Sequence, residues 1–326
     1  MATTSARRTS ESRLAVIMDP IEAINPAKDT TLALLLEAQR RGYALTYILA
    51  ENLWATGGST WARGRAATVS DDPDRWFELG ENRDEPLDSF DVVLMRKDPP
   101  FDQEYVYLTY LLELAEAAGA RVINRPRALR DYNEKAAILK FPEWSPSTLI
   151  ARDLSLFRDF HRREGHIVLK PLDGMGGRGV FVLAPGDLNL SSVVEALTSG
   201  GREHIMAQRY LPAIREGDKR VLMINGKPVP YMLARVPAEG ESRGNLAAGA
   251  RGEPRPLGTV EKRIAEAVGP RLAADGLSLV GLDIIGDHIT EINVTSPTCV
   301  RELDRAFGLN IAGDFFTAIE ATTAAA

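Results

Sequence analysis

A glycine-rich segment between two β-prone runs constrains the fold of this chain more than any other feature. Val168–Leu183 reads VLKPLDGMGGRGVFVL, in which an apolar run ends at Lys170 and four glycines precede a second apolar run. Because glycine has no Cβ, backbone N–H groups in such a loop can surround an anion. The segment predicts two strands joined by a loop that is either a flap over phosphates or an ordinary hairpin.

Two known phosphate-binding motifs do not describe this loop. Gly174, Gly176 and Gly179 have the spacing of the dinucleotide fingerprint, but that motif requires a helix after the glycines, and a strand follows in this chain. A P-loop requires a lysine after its glycines, whereas Lys170 precedes them. The functional interpretation that remains is a flap that covers phosphates with Lys170 beneath it.

Composition excludes several other classes of protein. The 326 residues suffice for two or three domains, and 44% hydrophobic and 26% charged residues are typical of globular proteins. A net charge of −6 argues against electrostatic binding of nucleic acid, and the four histidines lack the spacing of a zinc site. The single cysteine, Cys299, excludes an intrachain disulfide. Together with a polar N-terminus that lacks a signal-peptide core, these features predict a cytoplasmic protein.

The first part of the chain predicts a parallel sheet. Leu14–Met18 and Tyr43–Ala50 are apolar runs on either side of a helix at Thr30–Arg41, which Thr30 can cap. A hairpin, a strand, a helix and a further strand are predicted to follow at Asn52–Val69, Asp91–Met95, Tyr105–Ala118 and Ala120–Asn124. This alternation predicts a Rossmann-like first domain that ends near Asn124.

Three cations in this region are candidate substrate contacts. Arg96 and Lys97, with Asp98 after them, directly follow a predicted strand, and Lys28 precedes the first predicted helix. Ligands of open α/β sheets bind at the carboxyl ends of the strands, although a solvated loop would have the same composition. After the first domain, the basic stretch Arg125–Lys140 predicts a helix that carries Lys135.

A β-hairpin in the second half carries ionisable residues. Asn225-Gly226 is a type I′ turn signal, and β-prone runs flank it on both sides. Asp218 and Arg220 lie at the start of the first run, and Arg235 lies at the end of the second.

The next segment predicts a mobile lid. Val236–Pro256 is rich in glycine and proline and is too long for an ordinary connection in a compact domain. A disordered surface loop is the alternative, but Arg243, Arg251 and Arg255 favour a lid that closes on anions.

A second hairpin, Val280–Ser296 with its turn at Gly286-Asp287, predicts a metal site. Glu291 and Asn293 are two residues apart and therefore project from the same face, and the strand register could bring Asp283 alongside them. Carboxylate and amide oxygens are the hard ligands that Mg²⁺ prefers when nucleotide phosphates complete its coordination. The alternative is that these side chains face solvent.

These parts together meet the needs of phosphoryl transfer from ATP. They comprise Lys135, Lys170, a glycine flap, a carboxylate metal site and an arginine-rich lid, and a final amphipathic helix is predicted at Arg301–Ala318. Phosphoryl transfer depends mostly on positioning and charge neutralisation, which such residues supply.

Longer motifs resemble those of bacterial glutathione synthetases of the ATP-grasp superfamily, and the resemblance runs from about Leu14 to Ala318. The family-level segments are MDPI at Met18–Ile21, LLLEAQRRGY at Leu34–Tyr43, LMRKDPPFD at Leu94–Asp102, LKPLDGMGG at Leu169–Gly177, SRGNLAAG at Ser242–Gly249 and TEINVTSPTC at Thr290–Cys299. Ala250 departs from the family pattern, in which a glycine is expected.

The resemblance implies an α/β ATP-grasp fold with an N-terminal Rossmann-like (pre-ATP-grasp) domain and a small lid domain. The implied division is a tail at 1–13, the pre-ATP-grasp domain at 14–124, the lid subdomain with the glycine loop at 125–203, the central domain at 204–320 with a mobile loop at 236–252, and a tail at 321–326. The resemblance also implies a homotetramer.

The resemblance implies that ATP drives the ligation of glycine to γ-glutamylcysteine through an acyl phosphate, with Mg²⁺ or Mn²⁺. The implied nucleotide-binding residues are Lys135, Lys170, Gly174, Met175, Gly176, Gly177, Gln208, Tyr210, Leu211, Asp218, Arg235 and Asn293. The implied catalytic residues are Lys170, Arg220, Arg235 and Arg243, and the implied metal ligands are Asp283, Glu291 and Asn293.

Two alternatives remain beside this interpretation. The first is another ATP-grasp carboxylate–amine ligase, against which the TSPTC and RKDPPFD segments argue. The second is a nucleotide-binding scaffold without catalysis, which would lack Lys135, Lys170 or the acidic ligands, whereas all of them are present.

Overall fold

Three separate β-sheets form the framework of the chain. The structure is a computed structural model and describes residues 12–241, 244 and 249–323. No helix within these ranges is long and apolar enough to cross a membrane.

The first sheet has six strands in the order β4-β3-β2-β1-β5-β6. Its strands are β1 (Arg13–Met18), β2 (Ala44–Thr56), β3 (Ser59–Val69), β4 (Phe77–Pro86), β5 (Val92–Met95) and β6 (Val122–Ile123). The strands β1, β2, β5 and β6 run parallel, and α1 (Thr30–Arg40) and α2 (Gln103–Ala117) make the crossovers. The predicted Rossmann-like arrangement is confirmed, and β4 extends the predicted hairpin by a third antiparallel strand.

Asp29, and not the predicted Thr30, caps α1. Asp29 Oδ1 accepts a hydrogen bond from Leu32 N at 2.6 Å, whereas the Thr30 hydroxyl accepts one from Val300 N at 3.3 Å. The carboxylate one residue earlier has the position from which a side chain bonds the first free N–H groups of a helix. The buried Thr30 instead joins α1 to the C-terminal part of the chain.

The predicted continuous helix at Arg125–Lys140 is wrong. The structure has α3 (Pro126–Asp131), a turn, and a 3₁₀ helix at Ala136–Lys140. Asn133 Oδ1 accepts hydrogen bonds from the N–H groups of Lys135 and the next residue at 3.2 and 2.9 Å. Such local bonding competes with the helix, and it places Lys135 in a turn.

The second sheet holds the glycine loop and has four antiparallel strands in the order β7-β10-β8-β9. Its strands are β7 (Thr148–Ala151), β8 (Ile167–Pro171), β9 (Phe181–Leu183) and β10 (Ile205–Arg209). The helices α4 (Leu154–Glu164) and α5 (Leu190–Leu197) share a small apolar core with it. The predicted strand–loop–strand is confirmed, with residues 172–180 between β8 and β9.

The third sheet is antiparallel, in the order β13-β12-β11-β14-β15. Its strands are β11 (Asp218–Ile224), β12 (Lys227–Val236), β13 (Arg251–Pro256), β14 (Leu279–Ile285) and β15 (His288–Asn293), and α6 (Thr259–Ala274) packs against it. The turn between β11 and β12 has positive φ at both Asn225 and Gly226, which confirms the predicted type I′ turn. The predicted second hairpin is also confirmed.

The predicted lid at Val236–Pro256 is wrong over its last six residues, because Arg251–Pro256 form β13 and pair with β12. Proline residues are compatible with a strand at the edge of a sheet, and β13 is such a strand. Arg251 and Arg255 both form ion pairs with Glu253. These two arginines therefore belong to a strand and not to a loop that closes on anions.

The predicted single helix at Arg301–Ala318 is wrong as well. The structure has α7 (Val300–Phe307) and α8 (Ile311–Thr323). Gly308 follows α7 with a φ of +64°, a left-handed conformation that ends helices.

One buried side chain joins the first sheet to the third. Asn124, directly after β6, donates hydrogen bonds from Nδ2 to Leu279 O and Val294 O, both at 2.8 Å. Its Oδ1 accepts hydrogen bonds from Ser278 N and Leu279 N at 2.7 and 3.0 Å. These bonds satisfy four backbone groups at the ends of β14 and β15 and thereby set the position of the third sheet relative to the first.

The division into domains remains a proposal. The four-stranded sheet ends with β10 at Arg209, so a boundary after this strand, instead of after residue 203, would keep the sheet within one domain.

Gly226 should tolerate no side chain. Its φ is +77°, and a Cβ there would lie 2.6 Å from Gly269 O and 3.0 Å from Ala273 Cβ of α6. We expect Gly226→Ala to lower the free energy of unfolding by about 2–4 kcal/mol, because left-handed strain adds to overlap with a helix backbone. Urea unfolding of the variant measures this loss.

Gly58→Ala is the matched control. Gly58 has a similar φ of +82°, but no atom lies within 4 Å of its Cβ position, so only the strain of about 1 kcal/mol should appear. Equal losses in the two variants would contradict the part assigned to the contact with α6.

Candidate active site

Two adjoining cavities lie between the sheets. The first, which we call the interlayer cleft, is lined by residues of the four-stranded sheet and by β11, β14 and β15. The second, which we call the central cavity, has a volume of about 410 Å³ and is bounded by the glycine loop, the five-stranded sheet and loops of the first sheet. Val180 and Glu291 line both spaces, so the cleft and the cavity meet at the edge of the glycine loop.

A buried network of charges forms one wall of the central cavity. Asp283 Oδ1 and Oδ2 accept hydrogen bonds from Arg220 at 2.5 and 3.0 Å, and Oδ2 also lies 2.7 Å from Arg235 Nη2. Arg235 Nη2 in turn donates to Asp218 Oδ2 at 2.6 Å. The strand register produces this network, because Arg220 is opposite Asp283 and Asp218 is opposite Arg235. The structure thus brings together all four of these predicted residues.

Burial and charge act in opposite directions on the two carboxyl groups. Burial alone would raise the pKa of Asp283, but the charges of Arg220 and Arg235 outweigh it and hold this pKa below its ordinary value. Burial raises the pKa of Asp218 to about 7, although Arg235 acts in the other direction. Asp218 Oδ1 is buried without a hydrogen-bond partner, and the residue lines the interlayer cleft. Asp283 is therefore a permanent anion, whereas Asp218 presents an available acceptor.

Two buried lysines face one carboxylate. The Nζ atoms of Lys135 and Lys170 lie 3.9 and 3.7 Å from Glu291 Oε1, and Lys135 also donates a hydrogen bond to Gly174 O in the glycine loop. Burial lowers the pKa of Lys170, and the charge of Lys135 lowers it further. Two cations with one anion between them leave an excess of positive charge beneath the glycine loop, as an anionic ligand requires.

The turn before Lys135 is fastened to both sides of the cavity. Glu134 O accepts a hydrogen bond from Ile292 N at 2.8 Å, and Glu134 Oε1 accepts one from Thr295 Oγ1 at 2.8 Å. Asn133 Nδ2 donates to Leu172 O at 3.1 Å, next to the glycine loop. The turn therefore holds Lys135 between β15 and the loop.

The donor set of the predicted metal site suits a hard divalent ion. Asp283 and Glu291 are direct partners across β14 and β15, and Asn293 lies two residues further, where its Nδ2 donates to Gly281 O at 3.3 Å. No group of three His, Cys, Asp or Glu side chains in the described residues could hold a metal ion alone. An ion bound here would need further oxygen ligands, which phosphates and water can supply.

Three of the predicted nucleotide-binding residues line the interlayer cleft. Gln208, Tyr210 and Leu211 lie along one side, and Val168 and Val182 are among the apolar residues. The Gln208 side chain is buried and donates to Thr148 Oγ1 at 3.3 Å, and the Tyr210 ring stacks on His166 with centroids 4.0 Å apart. Apolar walls with a polar strand edge suit a flat heteroaromatic ring.

Only one residue of the central part of the predicted lid is described. Gly244 is buried against the charge network, and a Cβ at this position would lie 2.6 Å from Asp218 Cβ and 3.0 Å from Arg235 O. Glycine is therefore required for this approach. The predicted catalytic residue Arg243 lies outside the described residues.

The three predicted contacts from the first domain have different surroundings. Lys28 lines the central cavity. Arg96 is buried and donates to Thr31 Oγ1 at 3.1 Å and to Pro297 O at 3.0 Å, and Lys97 pairs with Asp19 at 2.6 Å. Neither Arg96 nor Lys97 lines the cavity, so the structure does not bring them together with the other predicted residues.

Three acidic residues of the central cavity escaped prediction. Asp29, Glu134 and Glu302 line this space, and burial raises the pKa of all three. Glu134 and Asp29 each adjoin a predicted cation in sequence, which is a signal that could have identified them. Glu302 carries no such signal, because the fold of α7 alone brings it to the cavity.

The sequence matches both parts of one family. The N-terminal domain of prokaryotic glutathione synthetase matches residues 13–130, and the ATP-grasp domain of prokaryotic glutathione synthetase matches residues 134–308. The chain is 55% identical over 308 residues to the glutathione synthetase of Pseudomonas syringae pv. tomato, with 94% of this chain and 97% of that relative covered. It is 54% identical over 313 residues to the glutathione synthetase of Pseudomonas aeruginosa, with 96% and 99% covered.

Solved structures of more distant proteins share the fold. D-cycloserine synthetase DcsG superposes with a TM-score of 0.65 at 17% identity, covering 94% of this chain and 98% of that one. The ATP-grasp ligase PsnB, in a complex with minimal precursor, Mg and ADP, has a TM-score of 0.59 at 16% identity, covering 95% and 98%. At these identities the likeness shows the fold alone, which is the expected α/β ATP-grasp fold.

Removing the charge of Asp283 should destabilise the protein strongly. Asp283→Asn leaves Arg220 and Arg235 buried without their shared anion, and breaking a buried pair in this way costs about 3–5 kcal/mol of unfolding free energy. Chemical denaturation followed by circular dichroism measures the loss.

Asp84→Asn is the matched control for geometry. Asp84 accepts two hydrogen bonds from Arg63 at 2.7 and 2.8 Å, but this pair is exposed, so solvent screens it and the variant should unfold like the parent. A small loss in Asp283→Asn, comparable with that in Asp84→Asn, would show that the buried network is not needed for stability.

Proposed function

Since this chain belongs to the prokaryotic glutathione synthetase family and is an ATP-dependent ligase that synthesises glutathione, we propose that it joins glycine to the C-terminal carboxylate of γ-glutamylcysteine through an acyl phosphate. The observation that carries this proposal is the pair of arginines, Arg220 and Arg235, that Asp283 holds at the wall of the central cavity. Fixed cations of this kind neutralise a carboxylate and a phosphoryl group that must approach each other.

In this proposal ATP enters through the interlayer cleft. Adenine lies against the strand edge at Gln208, Tyr210 and Leu211, and the unpartnered oxygen of Asp218 accepts a hydrogen bond from a ribose hydroxyl. The position of these four residues along one cleft supports this orientation.

The phosphates then reach the glycine loop, where the cleft opens into the central cavity. Lys135 and Lys170 supply positive charge, and the backbone of Gly174, Met175, Gly176 and Gly177 covers the phosphates. The loop lines the central cavity, and the contact between Lys135 and Gly174 O keeps the lysine beneath it.

The family uses ATP with a divalent metal ion, and we propose that this ion is Mg²⁺, with Mn²⁺ as a substitute. Glu291 and Asn293 would hold the ion, and Asp283 would join them by sharing its oxygens with the arginines. When bound, the ion neutralises phosphate charge and holds the γ-phosphate for in-line attack. Activity titrated with each metal at fixed ATP separates Mg²⁺ from Mn²⁺.

The reaction has two steps at the arginines. The cysteinyl carboxylate attacks the γ-phosphorus and ADP leaves, while Arg220 and Arg235 neutralise the carboxylate and the transferring group. The free amine of glycine then attacks the acyl carbon, and phosphate leaves as the peptide bond forms. The loop between β12 and β13, which carries Arg243, would close over the site because water would hydrolyse an acyl phosphate.

We also propose a cytoplasmic homotetramer. Tyr107, Tyr110 and Leu114 lie on one face of α2 and are 51%, 49% and 41% exposed, and a stripe of exposed large side chains is typical of a protein interface. The single buried cysteine suits a reducing compartment. Light scattering would give the mass in solution, and a monomer would contradict the assembly.

Release of phosphate from Mg-ATP tests the reaction directly. We expect release only when γ-glutamylcysteine and glycine are both present, with glutathione forming in equal amount. Release with a different carboxylate or amine, and none with this pair, would retain the ATP-dependent ligase and overturn the proposed substrates.

Lys170→Gln should weaken ATP binding without loss of stability. A phosphate would lose one charge-assisted hydrogen bond, so we expect the Kd for ATP to rise about 10- to 100-fold. The free energy of unfolding should stay equal or rise, because burial and Lys135 both disfavour the charge of Lys170 in the folded protein. Calorimetric titration and urea unfolding give the two quantities.

Lys219→Gln is the matched control, because Lys219 is also a buried lysine. Its Nζ lies 2.6 Å from Glu261 Oε1 and it lines neither cavity. This variant should lose stability, since a buried pair is broken, and should bind ATP like the parent. The opposite pattern in the two variants would remove Lys170 from the phosphate site.

A further inference from the structure

One wall of the central cavity carries an anion and a cation that the proposed chemistry at the arginines does not use. Glu302 lies in the first turn of α7 and lines the cavity, and its Oε2 is buried without a hydrogen-bond partner. Lys28 precedes α1 and lines the same cavity, and it forms no ion pair in the part of the chain that the structure describes. The charges of Lys28 and Arg220 both act on the Glu302 carboxylate.

Packing between two helices sets this wall. Val300 N, at the start of α7, donates to Thr30 Oγ1 at 3.3 Å at the start of α1, so the beginnings of both helices lie together. Almost all buried polar atoms in proteins have a hydrogen-bond partner. The unpartnered Oε2 of Glu302 therefore indicates that a bound ligand supplies the missing donor.

The substrate has the complementary groups. At its glutamyl end, γ-glutamylcysteine carries a free α-ammonium and a free α-carboxylate. When the cysteinyl carboxylate meets the γ-phosphate beside Arg220 and Arg235, the glutamyl end must lie against another wall of the same cavity. We infer that Glu302 accepts a hydrogen bond from the α-ammonium and that Lys28 pairs with the α-carboxylate. Glu302 is then the residue that selects γ-glutamyl substrates, an inference that rests on the function proposed above.

The other acidic side chains near this wall are less suited to the ammonium. Asp29 Oδ1 is occupied by the cap of α1, where it accepts from Leu32 N at 2.6 Å. Asp98 lines the cavity but is exposed, and neither of its oxygens is a buried acceptor without a partner. Among the described residues, Glu302 alone has a carboxylate oxygen that is buried without a hydrogen-bond partner and also lines the central cavity.

Substrate analogues that each lack one group test the inference. Glutarylcysteine lacks the α-ammonium, and 4-aminobutyrylcysteine lacks the α-carboxylate. We expect Glu302→Gln to lower kcat/KM for γ-glutamylcysteine about 10- to 100-fold, mainly through KM, and to leave kcat/KM for glutarylcysteine unchanged. Lys28→Met should likewise lower kcat/KM for γ-glutamylcysteine and leave kcat/KM for 4-aminobutyrylcysteine unchanged.

Two further variants complete the test. Glu266→Gln, on an exposed part of α6, should have the parental kcat/KM for both substrates. Asp98→Asn should keep the parental preference for γ-glutamylcysteine, which carries the α-ammonium, over glutarylcysteine. Equal losses on both substrates in Glu302→Gln, or loss of the preference in Asp98→Asn alone, would overturn the inference. Because only a parent protein that fails to make glutathione from γ-glutamylcysteine contradicts the proposed function, the two failures are distinguishable.

Discussion

The charge network around Asp283 is the interaction on which the rest of the site depends. Arg220 and Arg235 approach one carboxylate from neighbouring strands and are almost completely buried with it. Their mutual repulsion is tolerable only while that anion is present. A register shift of one residue in β11 would turn Arg220 to the opposite face of the sheet, so the network and the strand pairing require each other. The arginines consequently stand at the cavity wall before any substrate arrives, and no reorganisation is needed during the reaction.

A few polar side chains hold three separate sheets around this network. Asn124 bonds four backbone groups of the third sheet, Glu134 Oε1 accepts a hydrogen bond from Thr295, and Lys135 bonds the glycine loop. Each of these contacts joins segments that are far apart in sequence. A site assembled from different layers can change shape when one layer moves, which suits the proposed reaction, in which three substrates enter and water is then excluded.

Local patterns predicted those parts of the fold that local forces decide. The Asn225-Gly226 turn requires positive φ at two positions and has it, and the hairpin that follows α6 sets Asp283 opposite Glu291. The wrong predictions of secondary structure have local causes that amino-acid composition does not reveal. Asn133 bonds the backbone and interrupts a helix, Gly308 ends another, and prolines did not prevent Arg251–Pro256 from forming an edge strand.

The sequence by itself determined the chemistry of this protein. Lys170 and the glycine loop, and likewise Asp283 and Glu291, occur at spacings that a single hairpin or loop can organise, so the association within each pair follows from short-range geometry. Only the tertiary structure decided which other charges reach the cavity. Arg96 turns inward to Thr31 and Pro297, whereas Glu302 lies on the cavity wall because α7 packs against the start of α1. Position along the chain does not specify the direction of such side chains, since packing between distant segments sets it.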